Sequence, residues 1–217
     1  MDEISNGAKE AGCSLCLLQI KVLYRRKFSD FIFEKAQHQD ADLPKDLGSA
    51  LEHSTEYRGC SVPLMRILVR SALSGHSDFD YFVDVGCGKG KACIYARRYF
   101  RFRRIMGVDF SESLLSIARR NSSVAGIDDI DYQHGDARAY MLPNGRGIIF
   151  MYNPFDEVVM EQFINNNLEH FRRFGSMIVY INAFQSKVLL KHGFVLSDKS
   201  VSENNAIFEF GAGNENQ

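Results

Sequence analysis

Apolar positions recur along this chain at two spacings. Leu17, Ile20, Tyr24, Phe28 and Phe31 follow steps of three and four, which predicts a helix from Ser14 to about Gln37. Residues 38 to 60 are polar and broken by Pro44 and Gly48, the pattern of a loop. Leu64 to Leu73 reads as a short amphipathic helix starting near Pro63 and closed by Ser74-Gly75. Beyond it the pattern changes to short apolar runs: Tyr81-Phe82-Val83, Arg104 to Asp109, Ile130 to His134, Gly147 to Tyr152 and Ser176 to Ile181. Runs of this length predict buried strands. Helical patterns lie between them: from Lys91, through Leu114, Leu115, Ala118 and Arg119, from Glu157 to Phe174, and from Phe184 to His192 before Gly193. In the third of these helices Val158, Phe163 and Phe171 are expected to point inward. Strand and helix in alternation predict an α/β fold built on a parallel sheet. Phe194 to Lys199 and Ala206 to Phe210, joined by a polar turn, predict a closing antiparallel hairpin.

Chemistry concentrates where the strands end. After the first run comes Asp84-Val85-Gly86-Cys87-Gly88-Lys89-Gly90, which opens onto a helix. Strand, glycine turn and helix bring backbone close to a nucleotide-type ligand, and the helix N-terminus adds partial positive charge. The second strand ends in Asp109, 23 positions after Gly86 and near the ~20 expected of an acid that binds a ribose. Phe110 follows and can lie against an adenine face. Ser111 is placed to cap the next helix. The third strand leads into Gly135-Asp136-Ala137, and the fourth into Asn153-Pro154-Phe155.

The spacing D-x-G-x-G-x-G resembles the first motif of class I S-adenosylmethionine-dependent methyltransferases. The resemblance covers about residues 78 to 210 and extends to all four strand ends. It implies a Rossmann-like, seven-strand, mostly parallel sheet with a reversed last strand, preceded by an N-terminal helical extension. On that reading residues 1–76 are the extension or cap, 77–210 the methyltransferase domain and 211–217 a frayed tail. The cofactor implied is S-adenosyl-L-methionine. It would be held by Asp84, Gly86, Cys87, Gly88, Gly90, Asp109, Phe110, Asp136, Ala137 and Asn153. Tyr57, before a small hydroxyl residue, falls where similar enzymes meet the methionine end of the cofactor. Asn153, Pro154 and Phe155 would form the catalytic segment: the Asn153 side chain and the Asn153 or Pro154 carbonyl orient the acceptor, and Phe155 walls the site. Nitrogen is the favoured acceptor atom, in a protein lysine or a small-molecule amine. Many amino-group methyltransferases have two prolines in this motif, whereas this chain has one. No metal is implied. Two alternatives stand beside this reading: a catalytically silent cofactor-binding module, and a nicotinamide-dependent oxidoreductase. The early third glycine and the Asn153-Pro154-Phe155 end argue against the second.

Composition narrows the partners. The net charge of −1 over 217 residues supplies no general attraction for nucleic acid or membrane. The N-terminus is polar and acidic, unlike a signal peptide, and no apolar stretch is long enough to span a bilayer. The expected location is the cytoplasm, with the five cysteines reduced. Cys13-Ser14-Leu15-Cys16 lacks a second ligand pair and reads as part of the helix. Arg97 to Arg104 holds five arginines among aromatics, the makings of a nucleic-acid patch. Its place between the first helix and the second strand puts it at the sheet edge away from the ligand, where cations favour a helix C-terminus. His134 reads as structural.

Overall fold

The computed structural model describes residues 60–197 and 204–211. The expected helix of residues 14–37 and Tyr57 lie outside the described residues. Thirteen elements follow in order. They are α1 (Val62–Leu73), β1 (Tyr81–Val85), α2 (Lys91–Tyr99), β2 (Arg104–Asp109), α3 (Glu112–Val124), β3 (Ile130–His134) and a 3-10 turn (Ala137–Ala139). Then come β4 (Gly147–Tyr152), α4 (Glu157–Phe174), β5 (Met177–Ile181), α5 (Ser186–Lys191), β6 (Phe194–Leu196) and β7 (Asn205–Phe210).

The strands form one sheet in the order β3-β2-β1-β4-β5-β7-β6. β1 to β5 pair in parallel, and β7 runs antiparallel to both β5 and β6. The expected seven-strand sheet with a reversed last strand is therefore present. β1 is central and every one of its residues is buried, which explains why it is apolar at every position but Asp84. Tyr81, Val83 and Val85 join Phe163, Phe171 and Tyr180 in a core under α4. Phe82 faces the other way, with ring centroids 5.6 Å from Phe102 and 5.8 Å from Phe150. No helix among the described residues is long and apolar enough to cross a membrane.

Caps follow the local sequence. Ser111 Oγ accepts the Leu114 N–H at 3.4 Å, and Asp156 Oδ1 accepts the Val159 N–H at 3.2 Å. Gly175 closes α4 with φ +62°. In α4 the inward positions include Val159, Met160, Phe163, Ile164 and Phe171, while Val158 is 48% exposed. Val158 stands five residues before Phe163, about 140° around the helix at 3.6 residues per turn, and so it points outward. α5 also begins later than its apolar pattern predicts. The Phe184 N–H donates to the Asn182 carbonyl at 2.7 Å, a tight turn that delays the helix to Ser186. β6 stops at Leu196, and residues 198–203 lie outside the described residues.

The arginine cluster sits at the amino edge of the sheet. Arg97 donates to the Phe102 carbonyl at 2.9 Å and lies 3.1 Å from the Asp129 carboxylate. Arg98 donates to the Ala125 carbonyl, and Arg104 to the Asn144 carbonyl at 3.0 Å. Arg101 and Arg103 are exposed.

Candidate active site

The glycine turn after β1 is strained by L-residue standards. Gly86, Gly88 and Gly90 have φ of +80°, +53° and +78°, values that glycine adopts without a side-chain clash. Gly86 is exposed, yet a Cβ there would lie 2.4 Å from Pro154 Cβ. The turn after β1 and the loop after β4 therefore press directly on each other. Gly90 serves a different purpose: a Cβ there would collide with the Tyr132 hydroxyl and the Ala118 methyl. Behind the turn lie Cys87 and Cys93, both buried free thiols. A Cβ on Gly107 of β2 would stand 2.9 Å from Cys87 Sγ and 3.0 Å from Cys93 Sγ, so β2 has a glycine where the two sulfurs pack.

Asp109 ends β2 and is buried. Its Oδ2 accepts the Gly88 N–H at 2.8 Å and its Oδ1 accepts the Ser111 N–H at 2.9 Å. One carboxylate thus ties the glycine turn to the start of α3. Each oxygen keeps a lone pair for a further donor. Burial pushes the Asp109 carboxyl up from its ordinary value, against the pull of the Ser111 and Gly88 N–H groups. Asp84 in β1 is also buried, and burial together with the charge of Asp109 pushes it well above the usual carboxylate range. Two buried carboxyls, one of them raised further by the charge of the other, favour a cationic ligand.

Phe110 is half-buried, and its carbonyl is 2.9 Å from His134 Nε2, which joins the ends of β2 and β3. Asp136 is half-buried. It caps the 3-10 turn that holds Ala137 and pairs with Arg138, with Oδ1 2.8 Å from the Arg138 N–H and Oδ2 2.7 Å from Arg138 Nε. The Arg138 guanidinium holds this carboxyl below its ordinary value. At the end of β4, Asn153 adopts φ +42°. Phe155 is 5% exposed, with its ring 6.4 Å from that of Phe163. It is part of the core under α4 rather than an open wall, and it anchors the loop that carries Asn153.

A second asparagine occupies the matching place on the next strand. Tyr152 of β4 is in register with Ile181 of β5, so Asn153 and Asn182 follow at the same level. Asn182 has φ +51°, and among the described residues these two are the non-glycine residues with positive φ. Asn182 and Phe184 fall outside the four strand-end motifs after β1 to β4. Their signal in the sequence is an echo: Asn153-Pro154-Phe155 after one strand, Asn182-Ala183-Phe184 after the next.

The site suits the cofactor expected from the motifs: a glycine turn with Gly86 exposed for close approach, an acid at the end of β2, and buried carboxyls that call for positive charge. Residues 82–174 match the family model described as methyltransferase domain. The fold is shared with an RNA methyltransferase from Salinibacter ruber, solved in complex with S-adenosyl-L-homocysteine. The two are 17% identical, with a TM-score of 0.53 over 74% of this chain and 98% of that one. TrmN from Thermus thermophilus is 16% identical, with a TM-score of 0.52 over 70% of this chain and 49% of that one. Residues 82–174 are thus a methyltransferase domain, and the sheet order and strand-end chemistry are those of the class I S-adenosylmethionine-dependent fold. The protein is an enzyme with S-adenosyl-L-methionine as cofactor and a methyl acceptor as its second substrate.

Proposed function

We propose that the acceptor atom is nitrogen, in an amine presented to the Asn153-Pro154-Phe155 loop. The observation that carries this reading is the contact between Gly86 and Pro154, which sets the motif after β4 against the glycine turn. When bound, S-adenosylmethionine supplies an electrophilic methyl group on a sulfonium. On this reading Gly86, Cys87, Gly88 and Gly90 shape the backbone around its amino-acid end, and Asp84 offers its ammonium a carboxyl. Asp109 accepts from ribose hydroxyls, Phe110 lies along the adenine, and Asp136 and Ala137 meet the adenine edge. Asn153 accepts an N–H of the incoming acceptor with its side-chain oxygen, and the Pro154 carbonyl accepts another. Holding both N–H groups aims the nitrogen lone pair, and placement of this kind is the protein's main contribution to such a transfer. Pro154 fixes the backbone, and Phe155 secures it from below.

Methyl-labelled cofactor incubated with the protein and cell extract tests this reading. Label should enter an acid-stable N-methyl product in the protein or small-molecule fraction, and Asn153→Ala should remove it. Label found only as a base-labile ester would overturn the nitrogen assignment.

A further inference from the structure

The loops after β4 and β5 are two copies of one local design with opposite outcomes. Each begins with a left-handed asparagine at the same register level. A left-handed L-residue costs about 1–2 kcal/mol, less for asparagine than for most. Such strain clusters where the chain must present a group. After β4 the phenylalanine two positions on is buried. After β5 it is Phe184, which at 70% exposed is the most exposed large apolar side chain among the described residues. Phe184 is also held firmly. Its N–H bonds the Asn182 carbonyl, the Ala183 N–H bonds the Asn204 carbonyl at 3.0 Å, and the Asn182 N–H reaches Asn205 Oδ1 at 3.4 Å. Ala183 is buried, and its carbonyl also accepts from Ser186 Oγ. The exposed ring therefore stands on a loop fastened to the start of β7.

The two loops share a second property. Asn153 to Phe155 and Asn182 to Gln185 contain no titratable side chain. An alkylamine of pKa near 10.4 is unprotonated in only about one molecule in a few thousand at pH 7, and these segments hold no base to take its proton. A heteroaromatic amine is neutral already. Its flat face matches an exposed ring, and its N–H and ring nitrogen match amide groups that both donate and accept.

Building on the nitrogen assignment above, we propose that Asn182 and Phe184 form the second wall of the acceptor subsite. They select a neutral, planar heteroaromatic amine over an alkylamine. Phe184 supplies the stacking face that the buried Phe155 cannot, and the Asn182 amide reads the edge of the ring.

The chain has no tryptophan, so Phe184→Trp makes the emission of one residue a report on this wall. The variant is saturated with S-adenosylhomocysteine, with binding followed by calorimetry, and titrated with cytidine or with n-butylamine. Saturable quenching by cytidine and none by butylamine is expected, and adding Asn182→Ala should weaken the cytidine response by roughly tenfold. In turnover, Phe184→Ala should raise KM for a planar acceptor about tenfold or more at unchanged kcat, with Phe184→Tyr restoring it. Normal cofactor binding without quenching by cytidine, or equal quenching by both probes, would overturn the wall alone. Failure to bind S-adenosylhomocysteine would overturn the cofactor site and the wall together. Binding of both ligands with label entering only oxygen would overturn the nitrogen assignment and the selection of an amine with it, leaving only the stacking face.

Discussion

At the amino edge of the sheet, polar groups meet partners and turns use glycine. Arg146 bonds the Asp78 carboxylate at 2.9 Å and the Gly175 carbonyl at 2.9 Å, with its guanidinium 4.4 Å over the Phe79 ring. His170 Nε2 lies 3.0 Å from the Tyr81 hydroxyl and 2.9 Å from Ser176 Oγ, which accepts the Gly147 N–H at 2.8 Å. The left-handed residues in turns that lead into strands are Gly75, Gly126, Gly145, Gly175 and Gly193. At the carboxyl edge, two asparagines take the same backbone conformation, and two carboxyls are buried beside each other with raised pKa values. The same sheet thus has one relaxed edge and one strained edge. Strain that glycine would relieve persists at both asparagines, and such strain clusters at functional sites.

Exchanging glycines at the two edges should give the largest contrast. Gly86→Val places a branched side chain against Pro154 at φ +80°. It should abolish S-adenosylhomocysteine binding by calorimetry, a loss on the order of 100-fold or more. Gly175→Ala meets nothing closer than Arg146 Nε at 3.9 Å. It should cost only about 1–2 kcal/mol of stability in denaturant and leave the ligand affinity unchanged. Similar affinity losses in both variants would mean that the two edges do not differ as described.

Asp109→Ala should come next, weakening the cofactor roughly 10- to 1,000-fold. Asp136→Ala should do less, because Asp136 is already matched by Arg138 and caps a short turn. A reversed order would remove Asp109 from the ribose. Asn153→Ala and Asn153→Gly should each keep cofactor affinity within a few-fold and slow single-turnover methylation about 100-fold. The glycine variant should also gain up to about 1–2 kcal/mol of stability, because it relieves φ +42°. A faster or unchanged rate would show that the strain serves no placement.

The smallest effect belongs to the relaxed edge. Burial lowers the His170 imidazole to about 4 from its ordinary value of 6.5. Below 6.5 the unfolded chain takes up a proton that the folded one resists, so the unfolded state gains. This contribution to stability is complete above pH 6.5 and is lost as pH falls through about 4. The melting temperature should drop by a few degrees over that window, and His170→Gln should flatten the drop. An identical profile in the variant would assign the acid sensitivity elsewhere.

Much of this was legible in the chain because local and long-range preferences agree. β2 runs from Arg104 to Asp109 as its apolar run predicts, and Ser111 caps α3 as its side chain predicts. Where they disagreed, packing prevailed. Phe184 has a helical, apolar environment in sequence, yet the left-handed Asn182 turns the chain before a helix can start. Val158 is apolar but lies on the outer face, and Val159 and Met160 take the inner one. Phe155 belongs to a motif that reads as a site wall, but its burial against Phe163 depends on α4 folding back over β4, a contact that no local pattern encodes. The pairing of Asn153 with Asn182 depends on the β4–β5 register, and so the repeated triplet acquires meaning only in the sheet.

The close packing of Cys87 and Cys93 over Gly107 has a consequence for dynamics. Burial holds both thiols well above their ordinary pKa, so a thiol reagent attacks them slowly in the closed protein. Labelling must wait for the glycine turn to come apart, and its rate then measures the free energy of that local unfolding. A ligand that binds only the closed turn suppresses the open fraction in proportion to its concentration over its dissociation constant. The two sulfurs are a built-in gauge of how often the glycine loop lets go.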